Sequence, residues 1–240
     1  MLSLKNVKLD LPSGENLIKG VDLDIMPGKL TVITGPNGGG KTSMAKLIAG
    51  IYRPTSGKIV MDGEDITDMS VSDRAGAGIA YAFQQPVSFK GITVRKLMSI
   101  ASGKNISEVN MCRLLEKVGL CAREYMDREM DSHLSGGEMK RIEIATVLAR
   151  GAKYVVFDEP EAGIDLWSFT SLIDTFSSLK ETGDSALLII SHQERILNIA
   201  DNIAVIRDGV IAQSGTKDEV FPTLISDKFK NNCPKGQEMF

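Results

Sequence analysis

The sequence is poor in cysteine and has no long apolar run. Three cysteines in 240 residues, Cys112, Cys121 and Cys233, have neither the number nor the spacing of a disulfide scaffold or a zinc site. They read as ordinary free thiols of a reducing compartment, so a cytoplasmic location is expected. The longest apolar stretch, Ala186 to Ile190, has the length of a strand and falls far short of a membrane span. Met1 to Asn6 lack the apolar centre of a secretory signal. No direct membrane insertion is expected, and any action at a membrane would run through a partner. A net charge of −3 gives no global signal for nucleic acid. The remainder is globular composition, 42% hydrophobic and 25% charged, sufficient for one large domain or one domain with an insertion.

One stretch organises the chain: Gly35, Pro36, Asn37, Gly38, Gly39, Gly40, Lys41 and Thr42, followed by Ser43. It fits the phosphate-binding pattern G-x-x-x-x-G-K-[ST]. Lys29 to Thr34 before it is a β-branched apolar run that suits a buried strand. Thr42 to Ala49 after it is helix-forming and ends at Gly50, a C-cap residue. Strand, glycine loop and helix are the context in which backbone N–H groups converge on phosphate oxygens, aided by the helix N-terminus. Lys41 is expected to reach the β- and γ-phosphates of ATP, and the Thr42 hydroxyl to ligate Mg²⁺.

Strands are expected at Leu2 to Leu11, Leu17 to Ile25 and Lys58 to Met61, forming a small antiparallel sheet beside an α/β core. Gly78 to Phe83, Lys153 to Phe157 and Ala186 to Ile190 supply further core strands. Ile203 to Ile206 and Val210 to Ala212 flank Asp208-Gly209, a hairpin signal. From Val94 to Tyr125 the pattern turns helical, with Leu97, Ile100, Val109, Leu114, Leu115 and Val118 at helical spacings and Ser107 as an N-cap. Leu166, Phe169, Leu172, Ile173, Phe176 and Leu179 form another amphipathic stripe. The remainder from Thr216 is mixed in charge and ends in a polar tail.

The remaining candidates follow predicted strands, where ligands of an open α/β sheet bind. Asp158 closes an apolar strand and is placed to orient Mg²⁺. Glu159, one residue on, can polarise a water in line with the γ-phosphate. Gln84 can bind Mg²⁺ or that water through its amide oxygen. His192 can donate to the γ-phosphate, although a lone histidine at a strand end is more often structural. Ser135, Gly136 and Gly137 open a helix after Leu134 and form a second anion-binding turn. One chain has one γ-phosphate to hold, so a second turn makes sense if two chains meet head to tail. The plainer reading is an N-capped helix.

In this order the motifs resemble an ABC-type ATPase: Walker A at 35–42, a Q-loop at Gln84, Leu134-Ser135-Gly136-Gly137-Glu138, Walker B at 154–159, a D-loop Asp165 and an H-loop His192. The resemblance implies the ABC ATPase fold, a P-loop NTPase core with an N-terminal antiparallel β subdomain and a small inserted helical subdomain. It implies a single domain over 1–240, with 1–83 and 135–222 as nucleotide-binding core, 84–134 as helical subdomain and 223–240 as tail. It implies an ATP-dependent homodimer in which Ser135, Gly136, Gly137 and Asp165 serve the opposite subunit's ATP. Asp73 to Ile79, Ala82 to Val87, Gly137 to Glu143 and His192 to Leu197 are similar to the SufC-like ATPases of iron–sulfur cluster assembly, implying a SufB/SufD-like scaffold as partner. The alternative partner is a transporter permease.

Overall fold

The structure, a computed structural model, describes residues 1–103, 106–131 and 133–231, with side chains through residue 225. Cys233 and the end of the expected tail lie outside the described residues. The chain opens with strands β1 (Leu2–Asp10), β2 (Asn16–Ile25) and β3 (Leu30–Thr34), then helix α1 (Lys41–Ala49). Strands β4 (Ser56–Met61) and β5 (Glu64–Asp65) precede α2 (Val71–Gly76) and β6 (Ile79–Ala82). The middle holds β7 (Phe89–Thr93), α3 (Val94–Ser102), α4 (Glu108–Lys117), α5 (Ala122–Tyr125) and β8 (Glu129–Met130). Next come α6 (Gly136–Ala149), β9 (Tyr154–Asp158), α7 (Leu166–Thr182), β10 (Ala186–Ile190) and α8 (Glu194–Ile199). The hairpin β11 (Asn202–Arg207) and β12 (Val210–Thr216) leads into α9 (Lys217–Asn231).

The strands sort into an antiparallel sheet, β2-β1-β4-β5, and a six-stranded core sheet, β12-β11-β3-β10-β9-β6. Strands β11, β3, β10, β9 and β6 run parallel, and β12 closes one edge antiparallel. Each parallel strand is apolar on both faces because both are covered. Leu30, Val32, Val155, Phe157, Leu187 and Ile189 face α6, α7 and the helical segment. Ile33, Tyr154, Val156, Ala186, Leu188 and Ile190 face α1 and the antiparallel sheet. Asp62, in the turn after β4, ties the two sheets by accepting from Lys153 Nζ and the Tyr154 hydroxyl, each at 2.7 Å.

The sequence names the helix caps well. Ser107 caps α4 by accepting from Asn110 N, and Gly50 ends α1 at φ 81°, the left-handed geometry glycine adopts without a Cβ penalty. Four details differ from the sequence reading. Ile100 and Val109 stand on the solvent side of their helices, while Leu115 and Val118 are buried. Leu166, in the first turn of α7, is exposed. The short pair β7–β8 gives no alternation signal over so few residues. The expected tail from residue 223 is helix α9 as far as Asn231, which accommodates Pro222 and buries Val220 against the core.

Candidate active site

Gly35 to Gly40 connects β3 to α1, with Pro36, Asn37 and Gly38 exposed and Gly39 and Gly40 buried. A Cβ on Gly35, at φ 142°, would stand 2.0 Å from the Ile206 carbonyl oxygen, so β11 presses on the loop too closely for any side chain. Lys41 begins α1 and is buried; its Nζ donates to the carbonyls of Gly35 and Pro36 at 2.8 and 2.9 Å. Its ammonium thus lies within the loop. Burial lowers the Lys41 pKa, against the opposing pull of Glu159 and Asp158. Thr42 and Ser43 follow, both half-buried.

Thr42 Oγ1 donates to Asp158 Oδ1 at 3.1 Å. Asp158 is fully buried at the end of β9, and its Oδ2 accepts from the Tyr81 hydroxyl at 2.9 Å. Burial pushes the Asp158 carboxyl up, while the Tyr81 and Thr42 hydroxyls hold it down. Burial likewise raises the Tyr81 phenol. A hydroxyl and a carboxylate oxygen 3.1 Å apart are spaced like two adjacent ligands of an octahedral Mg²⁺ with bonds of about 2.0–2.1 Å. The described residues hold no cluster of three or more His, Cys, Asp or Glu suited to a metal. Such a pair suits a cation that takes its other ligands from phosphate and water.

Glu159 is one residue beyond the strand, at φ 46°, an unfavourable region for a residue with a Cβ. Its N–H donates to Ile190 O and its own carbonyl accepts from Ala162 N, both at 3.0 Å, so neighbouring backbone enforces the turn. Gln84 Nε2 donates to Glu159 Oε2 at 2.7 Å. The amide nitrogen of Gln84, not its oxygen, therefore engages the carboxylate. The carbonyl oxygen is the end left for a metal or water.

The sequence reading did not single out Tyr81, Glu161, Ser191, Lys140 or Glu143. Ser191 is fully buried before His192; its hydroxyl donates to Glu161 Oε1 at 2.5 Å and accepts from Gln193 N. This link joins the loop after β9 to the residue preceding His192. Burial raises the Glu161 carboxyl. His192 itself is exposed, and no described hydrogen bond joins it to Gly35–Thr42. An Asp-Glu pair after an apolar strand announces itself; a tyrosine inside a strand or a serine at its end carries no such signal.

Ser135 caps α6 in a capping box: its side chain accepts from Glu138 N, and Glu138 Oε2 accepts from Ser135 N at 2.7 Å. Tyr125 adds its hydroxyl to Glu138, holding that carboxyl down at about 2. A Cβ on Gly137 would lie 2.7 Å from Gly163 O, so the loop leading to Asp165 packs on the first turn of α6. Asp165 in turn caps α7, accepting from Trp167 N and Ser168 N at 3.0 Å. The fold thus makes two groupings. Lys41, Thr42, Gln84, Asp158 and Glu159 form one; Ser135, Gly136, Gly137 and Asp165 form the other, with no described hydrogen bond between them.

Residues 18–162 match the family described as ABC transporter. An uncharacterised ABC transporter ATP-binding protein of Methanocaldococcus jannaschii is 37% identical over 227 residues, covering 91% of this chain and 88% of its own. A probable ATP-dependent transporter of Synechocystis is 32% identical over 233 residues, covering 91% and 90%. The backbone superposes with a TM-score of 0.82 on a solved dimeric ATP-binding cassette in a post-hydrolysis state with ADP and Pi, at 23% identity, covering 90% of this chain and 99% of that one. Together with the P-loop, its Thr42–Asp158 contact and the Gln84–Glu159 pair, these likenesses establish that the chain belongs to the ABC transporter ATP-binding family and is an ATPase with the ATP-binding cassette fold.

Proposed function

We propose that this chain is the ATP-hydrolysing motor subunit of a membrane transporter, working as an ATP-dependent head-to-tail pair. An apolar groove beside Gln84 carries the transport reading. It encloses about 250 Å³ between the core and the helical segment, with Ile51, Val71, Tyr81, Phe83 and Val147 in its lining. Val87 and Phe89, in the next turn and strand, are exposed apolar side chains as well. A partner segment seated there touches the backbone whose next side chain holds Glu159. The names of the two relatives above support a permease as that partner. Residues 84–134 are then the partner-facing part, and 1–83 with 135–222 the nucleotide-binding core.

In this reading the loop N–H groups from Gly35 to Gly40, with Lys41, Thr42 and Ser43, grip the phosphates of ATP. Lys41 exchanges its two carbonyl partners for phosphate oxygens. Thr42 and Asp158 would hold Mg²⁺, which when bound would supply charge neutralisation at the transferred phosphoryl group. Glu159 accepts a hydrogen bond from the attacking water, and Gln84 fixes that carboxylate. His192, steadied through Ser191 and Glu161, donates to the γ-phosphate. Ser135, Gly136, Gly137 and Asp165 close on the ATP of the facing subunit.

Co-purification of the tagged chain from detergent-solubilised cells, with and without Val87→Arg, tests the partner. An integral membrane protein lost in the variant, with basal ATPase unchanged, is expected. A soluble β-rich scaffold in its place overturns the transport reading in favour of SufB/SufD-like iron–sulfur assembly. The stretches similar to SufC carry Arg74, Lys140 and Glu143. Arg74 and Lys140 are buried, and all three are bonded inside this fold, so packing accounts for them without reference to a scaffold.

A further inference from the structure

Helix α6 carries an ion pair that makes no described hydrogen bond to the phosphate loop, Thr42 or Asp158. Lys140 is fully buried, and its Nζ lies 3.3 Å from Glu143 Oε2, one turn further along the same face. Both side chains grip one peptide segment at the end of β6. Glu143 Oε1 accepts from Phe83 N at 2.9 Å; Lys140 Nζ donates to Phe83 O and reaches Gln84 O at 3.4 Å. The pair thus takes hold of the N–H and C=O of Phe83 and the C=O of Gln84. Gln84 is the residue whose side chain holds Glu159 at 2.7 Å. The N-cap of the same helix is Ser135.

A buried charge pair is a poor choice for stability alone, since an apolar pair of similar volume often serves as well. Its use here is geometric. Three backbone groups that no β-ladder satisfies are fixed to a helix, which moves as a rigid body.

We propose that Lys140 and Glu143 are positioning residues for ATP hydrolysis: they lock Gln84, and through it Glu159, to α6, so that the carboxylate is aligned only in step with the helix end bearing Ser135. The inference rests on the proposed roles of Gln84 and Glu159 and adds the device that couples them to α6.

The test is a double-mutant cycle on kcat with ATP affinity measured in parallel. Lys140→Met/Glu143→Gln is neutral, of similar volume, and keeps an acceptor for Phe83 N. It is expected to bind ATP within about threefold of wild type and to lose about tenfold or more in kcat. Added to Gln84→Ala, the same pair is expected to lower kcat by less than about twofold, because both lesions break one chain of contacts. Lys140→Arg, which keeps a donor cation, is expected to recover most of the rate. Glu143→Gln alone, isosteric with the native residue, is the second variant should the pair not fold; the same non-multiplying loss is expected, about threefold. A wild-type kcat in the neutral pair, losses that multiply with Gln84→Ala, or a parallel fall in ATP affinity overturns the proposal. Gln84→Ala at the wild-type rate overturns instead the reading of the site on which it rests.

Discussion

Glu159 sits in a backbone region that costs an ordinary residue about 1–3 kcal/mol, and the fold holds it there with two backbone hydrogen bonds. Such strain is tolerated where it aims a side chain. If Glu159 engages the attacking water as proposed, Glu159→Gln removes that carboxylate and keeps the shape, so ATP binding should persist while turnover is lost. Equilibrium binding and phosphate release measured on one preparation check this, and wild-type turnover in the variant removes Glu159 from its role. Tyr81 invites a second experiment. Its hydroxyl is one of two donors holding down a carboxyl that burial pushes up. Tyr81→Phe should raise the Asp158 pKa further, shift the acid limb of the pH–rate profile to higher pH, and weaken Mg²⁺ activation. A hydrogen bond to a charged group is worth about 1.5–3 kcal/mol, so the Mg²⁺ concentration for half activity should rise about tenfold. An unchanged Mg²⁺ dependence would mean that Thr42 alone orients Asp158.

Helix α6 owes its start to the capping box of Ser135 and Glu138, reinforced by Tyr125. The Glu138 carboxyl is depressed, from 4.5 to about 2, first by the Tyr125 hydroxyl and then by Ser135. A depressed carboxyl contributes stability that is complete above its unfolded value and is lost as pH falls through its folded value. The difference in melting temperature between wild type and Glu138→Ala should therefore be full above pH 4.5 and shrink as pH falls from there towards 2. A difference independent of pH over that window would assign the effect to packing of the side chain instead of its charge. Removing the cap itself with Ser135→Ala should cost about 1 kcal/mol of stability.

At the scale of the whole molecule, the first grouping of site residues has no anion-binding turn from α6, and the second has no P-loop. In the proposed head-to-tail pair, two copies complete both. Mixing Ser135→Arg chains with Lys41→Ala chains separates this from a site built within one chain. Each variant alone has two damaged composite sites and should be inactive. A mixed pair has one site with both lesions and one with neither, so up to half of the mixed pairs' catalytic sites should return to activity, measured as phosphate release. No recovery, once mixed pairs are shown to form and one intact site is shown to turn over alone, places Ser135 in its own chain's site and removes the head-to-tail arrangement.

The sequence by itself determined the elements that rest on local rules. Gly35 to Thr42 between a β-branched run and a helix former, Ser107 and Ser135 before their helices, and Asp208-Gly209 between two apolar runs each satisfy a backbone requirement within a few residues. The order of the motifs made the ATP-binding cassette legible for the same reason, since each motif is a short run at a strand end or a helix start. Only the tertiary structure decided what depends on side chains meeting across the fold. Tyr81 and Asp158 are brought together by the pairing of β6 with β9, and Phe83 meets Lys140 and Glu143 because α6 lies against the end of β6. The exposure of Leu166 and Trp167, the latter 84% exposed, was equally hidden: periodicity gives the stripe of α7 but not which of its turns are covered. Helix α9 runs through Pro222 and buries Val220 against the core, a packing contact that no local pattern after Thr216 announces.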